Sequence, residues 1–279
     1  CMIEGVINKI IPFSSVDGPG NRTAIFLQGC NFNCIYCHNP ETIQLCTGCG
    51  RCVGSCPKDA LYQAEATIVW EKDRCCECDT CTTLCQKSSS PRTMKMDTDR
   101  LFEEMKLYKR FIDGITVSGG ECTLQQEFLV ELFRRAKTEG LTCMIDTNGS
   151  NDFKKMPELV ALCDGFMLDV KVYDAKAHEK YIGAPNEAVL ANLHYLASIG
   201  KLYEVRTVVV PELFDNEETV RYTASILTGY DASIRYKLIQ YRSMGVREEG
   251  KKLRSPSRTE MNQLEQIAKK LGCKQVIVV

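Results

Sequence analysis

The sequence predicts an α/β fold, with strand–helix units building a parallel sheet that closes wholly or partly into a barrel and a small cysteine-rich insert interrupting it. Two observations predict this. Short apolar runs alternate with amphipathic stretches, and most of the 17 cysteines in 279 residues fall in three tight runs. The runs that read as buried strands are TAIFLQ (23–28), GITVS (114–118), LTCMID (141–146), GFMLDVK (165–171), YEVRTVVV (203–210), IRYKLIQY (234–241) and the terminal KQVIVV. Between them, LFEEMKLYKRF reads as a helix capped by Asp97 or Thr98. QQEFLVELFRRAKTEG and TEMNQLEQIAKKLG read as helices closing on Gly140 and Gly272. Strands alternating with helices imply a parallel sheet, and about six such units suggest a barrel or an incomplete one. In such barrels the active site gathers at the C-terminal ends of the strands. Polar residues do interrupt the runs there: a cysteine loop after the first, SGGE (118–121), DTNG (146–149), then Asp169 and Lys171.

Cys30, Cys34 and Cys37 stand in GCNFNCIYCHNPE with C-x3-C-x2-C spacing. A [4Fe–4S] cluster wants four ligands. This loop offers three, so one iron would stay open for chemistry, as a coordination position stays open on a catalytic zinc. A structural zinc loop is the plainer alternative, but zinc favours two separated cysteine pairs. With Tyr36 before the third cysteine, the loop resembles that of the radical S-adenosylmethionine (SAM) enzymes, in which SAM fills the vacant site.

Two further runs share C-x2-C-x2-C-x3-C spacing: Cys46, Cys49, Cys52 and Cys56, then Cys75, Cys78, Cys81 and Cys85. This is the bacterial ferredoxin pattern, in which the fourth cysteine of each run serves the other cluster. The expected ligand sets are Cys46, Cys49, Cys52 with Cys85, and Cys75, Cys78, Cys81 with Cys56. Gln86 replaces the proline usual after the second run, and a zinc knuckle is the alternative. The segment 42–93 therefore reads as an inserted ferredoxin-like domain with two [4Fe–4S] clusters. It ends in the linker QKSSSPRT, and residues 1–41 and 94–279 form the barrel. Six cysteines are left: Cys1, Cys76, Cys122, Cys143, Cys163 and Cys273. Cys76 breaks the spacing and reads as a bystander. Cys143 and Cys163 read as small hydrophobes in apolar runs, and Cys122 has no assigned role.

A cysteine-rich chain with no basic-then-apolar leader and no span of roughly 18 apolar residues is expected to be cytoplasmic, metal-binding and free of the membrane. A net charge of −1 argues against nucleic-acid binding. On the rim, Gly119 and Gly120 would let backbone approach a ligand closely. Glu121 could accept from the SAM ammonium, and Lys171 and Arg206 could meet its carboxylate or ribose. Asp146, Thr147, Met167 and Asp169 could hold a hard cation.

Taken together, VDGPGNR (16–22), GCNFNCIYCHNPE (29–41), SGGE, DTNG, MLDVK (167–171) and VRTVVVP (205–211) resemble the glycyl-radical enzyme activating enzymes. Within that family the chain looks most like the ferredoxin-insert subgroup and its YjjW-type branch. The resemblance implies a partial (β/α)6 barrel of TIM-like form and an oxidoreductase working anaerobically. It implies SAM chelating the open iron of the Cys30, Cys34, Cys37 cluster, with Tyr36, His38 and Asn39 in the cofactor site. Glu121 would bind the SAM amino group, and Lys171 and Arg206 would contact SAM. Asp146, Thr147, Met167 (by its carbonyl) and Asp169 would form a monovalent-cation site for Na+ or K+ beside the SAM carboxylate. Asp17 would lie near the partner's glycine loop. In place of the PYH run of the pyruvate formate-lyase activase stands QYR (240–242), so the adenosine contact of that run is not carried over to this chain. The implied reaction is reductive cleavage of SAM to a 5′-deoxyadenosyl radical, which takes hydrogen from a glycine Cα of a glycyl-radical enzyme. An electron donor such as flavodoxin or ferredoxin would supply the electron. The rivals are a radical SAM enzyme acting on a small molecule and an electron-transfer iron–sulfur protein.

Overall fold

Each apolar run becomes a strand of one sheet. The computed structural model describes residues 3–279, so Cys1 lies outside the described residues. Its strands are β1 (Gly5–Ser14), β2 (Arg22–Leu27), β3 (Leu61–Ala64), β4 (Thr67–Trp70), β5 (Met94–Met96), β6 (Gly114–Gly119), β7 (Thr142–Thr147), β8 (Gly165–Asp169), β9 (Leu202–Val209), β10 (Arg235–Gln240) and β11 (Val276–Val278). Nine of them make one sheet in the order β11-β10-β9-β8-β7-β6-β2-β1-β5. From β2 to β11 every neighbouring pair is parallel. The seven parallel strands are one more than a (β/α)6 unit count, and the sheet stays open because β5 and β11 do not pair.

The helices fall where the periodicity puts them, with local chemistry setting their ends. Asp97 caps Thr98–Met105 by accepting from the Arg100 N–H. That helix stops at Met105, short of the predicted LFEEMKLYKRF span, and a separate 3-10 turn holds Lys109–Phe111. Gln126–Thr138 runs out into Gly140, and Arg258–Lys270, started by a Ser257–Glu260 capping box, into Gly272. The alternation left β3, β4, β5 and the ten-residue β1 unread, and β1 is the longest of these. Its pairing with β2 shifts register between Ile7 and Lys9 and again between Ile11 and Ser14. Such bulges break the period of two by which a strand is recognised.

The two faces of the parallel sheet differ. Ile115, Val117, Cys143, Ile145, Phe166, Leu168 and Val205 are fully buried. The alternate residues carry polar groups, which bond to one another across strands: Ser118 to Asp146, and Asp146 to Arg206. Segment 42–93 leaves and re-enters the barrel at one place, since Gln44 bridges Ser89. It has its own antiparallel sheet, β3–β4. Its buried apolar residues are only Ile43, Ala60, Leu61 and Cys81. So small a core does not hold a segment of this length by itself. No helix among the described residues is long and apolar enough to cross a membrane.

At the N-terminal end of the sheet Arg22 is completely buried. Its guanidinium donates to Thr116 Oγ1 at 2.7 Å, the Ile115 carbonyl at 2.6 Å, the Thr142 carbonyl at 3.0 Å, Thr142 Oγ1 at 2.9 Å and the Pro19 carbonyl at 3.1 Å. One side chain thus ties the 16–22 turn to β6 and β7. Arg22→Met fills similar volume but leaves these acceptors without donors, and should lower stability by about 3 kcal/mol. Urea unfolding measures it. A loss under about 1 kcal/mol would mean that other donors replace the guanidinium.

Candidate active site

The cysteine loop following β2 is closed by backbone hydrogen bonds at its base. Gly29 N–H donates to the Thr42 carbonyl and Cys30 N–H to the Ile43 carbonyl, both at 2.8 Å. The SGGE turn after β6 is stitched to the same base, with Gly120 N–H on the Leu27 carbonyl and Glu121 N–H on the Gly29 carbonyl. Side chains would not fit there. A Cβ on Gly119, which has φ of +122°, would stand 2.2 Å from the Leu27 oxygen, and one on Gly120 would stand 2.3 Å from the Gly29 oxygen. The close approach expected of these glycines is therefore made first to the chain's own cysteine loop.

Above this base lies a cavity of about 170 Å3. It is lined by Cys30, Cys34, Cys37, Tyr36, His38, Asn39, Gly119, Gly120, Asp146, Thr147, Asp169 and Lys171. Four sequence motifs therefore do meet on one rim, at the C-terminal ends of β2, β6, β7 and β8. Burial pushes the Cys30 thiol up to about 11 and the Cys34 thiol up to about 12, and raises Cys37 too. Buried thiolates thus need a positive centre among them. Lys171 supplies part of that charge, bonded to Asp169 at 2.7 Å and electrostatically coupled to all three thiols.

Several expected residues sit elsewhere. Glu121 is buried behind the cavity, not among its lining residues. Its carboxylate accepts from Thr147 Oγ1, the Asn148 N–H and both the N–H and the hydroxyl of Thr123. It ties the SGGE turn to the DTNG turn. Arg206 is also outside the lining. It donates to Asp146 at 2.9 Å and Glu204 at 2.6 Å, with its other nitrogen on the Met167 sulfur at 3.0 Å. Glu204 in turn is met by Lys237 at 2.8 Å and Arg235 at 3.1 Å. Burial would raise Glu204, but Arg206 and Lys237 hold it below the usual carboxylate range. Asp146, Thr147 and Asp169 of the expected cation site line the cavity; Met167, expected there through its carbonyl, is not among the lining residues, and its side-chain sulfur accepts from Arg206. Asp17 enters from the opposite end of the sheet, since Ser14 and Arg22 pair at the start of β2. Its carbonyl accepts from Thr116 on the polar face of β6 at 2.5 Å.

Three contributors went unread in the sequence. Asn148 lines the cavity, and its amide lies 3.7 Å from the Cys30 sulfur and 3.1 Å from Asn31. Arg247 clamps the cysteine loop, donating to the Asn33 side chain and to the Asn33 and Cys34 carbonyls. Glu204 is the third, the anion on which the Arg206 network closes. The DTNG motif pointed to Asn148, but nothing local marks Arg247. The QYR segment takes part through its backbone: the Arg242 carbonyl meets His38 Nε2 at 2.8 Å. Cys122 is buried, its thiol on the Val117 and Asp146 carbonyls. Cys143 and Cys163 are fully buried, as expected of packed hydrophobes.

The insert carries two more cysteine-lined cavities. One is lined by Cys46, Cys49, Cys52 and Cys85, with Cys81, and the other by Cys56, Cys75, Cys78 and Cys81, with Cys76. Each expected ligand set thus surrounds one cavity. No three His, Cys, Asp or Glu side chains among the described residues converge on a single-ion site. Donors spread around a hollow suit a polynuclear centre better than a tetrahedral zinc. Each of the three cavities is also lined by a residue with a buried polar atom that has no partner: Tyr36 Oη, Ser89 Oγ and Trp70 Nε1. The residues present therefore fit clusters whose sulfur atoms accept hydrogen bonds.

The model of the radical SAM superfamily matches residues 24–223. A protein of Haemophilus influenzae, provisionally named a glycyl-radical enzyme activating enzyme, is 31% identical over 297 residues, 98% of this chain and 96% of that protein. The pyruvate formate-lyase-activating enzyme of Streptococcus mutans is 31% identical over 252 residues, 87% of this chain and 80% of that protein. Among solved structures, SuiB of Streptococcus suis superposes with a TM-score of 0.56 over 90% of this chain and 47% of that chain, at 11% identity, a likeness of fold. The chain belongs to the radical SAM superfamily and, within it, to the glycyl-radical enzyme activating enzymes.

Proposed function

We propose that this chain is a radical SAM activase that takes a hydrogen atom from a glycine Cα of a partner glycyl-radical enzyme. The observation that carries the reading is the single cavity in which three thiols and no fourth cysteine meet the rim residues Asp146, Asp169 and Lys171. A [4Fe–4S] cluster with SAM on its open iron supplies, when bound, a 5′-deoxyadenosyl radical by one-electron cleavage of the sulfonium bond. Cys30, Cys34 and Cys37 would hold that cluster. Lys171, oriented by Asp169, offsets thiolate charge in a cavity that Phe32, Ile43 and Val208 help keep dry. Asp146 and Asp169 would serve the SAM end of the cavity, and with Thr147 and Met167 a monovalent cation. Asp17 would meet the glycine loop from the 16–22 turn, whose Asp17 carbonyl is tied to Thr116 of β6.

The insert we read as a ferredoxin-like domain with two further [4Fe–4S] clusters, reduced by a flavodoxin or ferredoxin, in a protein of the YjjW-type branch. Eleven thiolate ligands suit a reducing, cytoplasmic setting.

Four outcomes follow. Cys37→Ala should abolish 5′-deoxyadenosine formation and retain about eight of about twelve irons, four per cluster. Cys78→Ala should spare the barrel cluster and make 42–93 the first segment cut by protease, because that segment has little apolar core. Iron analysis, chromatography of the nucleoside and limited proteolysis read these, and wild-type nucleoside yield from Cys37→Ala would misplace the catalytic cluster. Asp169→Ala should raise the SAM dissociation constant roughly tenfold through loss of the Lys171 orientation. Unchanged affinity with full iron would remove Asp169 from the SAM site. Finally, partner enzyme deuterated at glycine Cα should pass its label into 5′-deoxyadenosine, one equivalent per radical. Unlabelled nucleoside formed while a small molecule is consumed would favour the small-molecule reading instead.

A further inference from the structure

Trp70 ends β4 opposite Leu61 and is the one tryptophan in the sequence. Its indole Nε1 is buried and unpartnered, and the ring lines the cavity of Cys56, Cys75, Cys78 and Cys81. A buried N–H without an acceptor is a standing cost, and an acceptor in the cavity would remove it. Arg92 lines the same cavity, with the Cys81 and Cys75 thiols among its electrostatic neighbours. Its side chain is 18% exposed, whereas that of its ion-pair partner Asp79, at 2.5 Å, is 65% exposed. Both ends of the pair line the cavity, but the positive end is the more buried of the two and the negative end is the one screened by water. The other insert cavity differs: its two cations, Arg51 and Lys87, are both exposed.

We infer that Trp70 and Arg92 set the reduction potential of the centre held by Cys56, Cys75, Cys78 and Cys81, raising it through an N–H bond to sulfur and a buried positive charge. The inference rests on the two-cluster reading of the insert. One-electron reduction adds one negative charge to the cluster, with the electron drawn from a donor of the flavodoxin or ferredoxin class. A donated hydrogen bond and a nearby cation stabilise the reduced form more than the oxidised form. Neither residue supplies the electron, and no bond to either is made or broken.

The test uses full-length Cys37→Ala protein reconstituted with iron and sulfide, so that only the insert clusters remain, titrated with dithionite under EPR. Trp70→Phe removes the N–H and keeps the ring, while Arg92→Gln removes the charge and keeps a donor. Each should lower one of two midpoints, cutting the reduced-to-oxidised ratio at the parent midpoint roughly tenfold, or about 59 mV, and leave the other unmoved. Trp70 fluorescence in the parent should fall as iron is loaded. Both midpoints unmoved in both variants, with about eight irons retained, would overturn the inference and leave the two-cluster reading standing. A parent that takes up no iron would overturn that reading itself. If Trp70→Phe fails to assemble the cluster, Arg92→Gln decides alone.

Discussion

The site depends on one close approach, that of the Gly119–Gly120 backbone to Leu27 and Gly29. Hydrogen bonds from Gly120 and Glu121 to the Leu27 and Gly29 carbonyls fix the start of the cysteine loop, and the Thr42 and Ile43 carbonyls fix its end. Any side chain at either glycine would force these backbones apart by more than side-chain adjustment can absorb, because the atoms it meets are main-chain oxygens. The three thiols are thereby presented to the cavity by a loop whose two ends are stitched to neighbouring backbone. Arg247 and the Arg242 carbonyl brace its middle from the far side of the barrel.

Beneath the cavity runs a ladder of buried charge: Ser118, Asp146, Arg206, Glu204, then Lys237 and Arg235. Parallel register places these groups side by side on one face, with Arg206 opposite both Asp169 and Lys237. Two carboxylates against three cations leave the ladder itself positive on balance. That suits a site whose thiolate ligands bring negative charge with them. Arg206 in this ladder, and Glu121 between the SGGE and DTNG turns, hold the site's shape from behind the lining. Their polar atoms already have partners from neighbouring strands and turns.

The insert follows a different logic. With only four buried apolar residues and eight cysteines in regular spacing, it lacks the means to fold around hydrocarbon. The cavities its cysteines surround are where its order would come from, and its paired ends at Gln44 and Ser89 let it do so without disturbing the barrel.

The seven strands of the parallel sheet, the three cysteine runs and the gathering of SGGE, DTNG, Asp169 and Lys171 on one rim were legible in the sequence, while β1, β3, β4 and β5 were not. Alternating period and fixed ligand spacing are local properties, and the end of a strand is a place a motif can mark. The bulged β1 was not legible, because a bulge cancels the alternation that announces a strand. Nor was the role of Glu204 or Arg247, whose partners stand on other strands and loops. The sequence by itself determined which residue types could bind metal and at which strand ends they would stand. Only the tertiary structure decided which of them face the cavity and which, like Glu121 and Arg206, are turned to the chain's own donors and acceptors. Register and burial choose among hydrogen-bond partners, and neither is a local property.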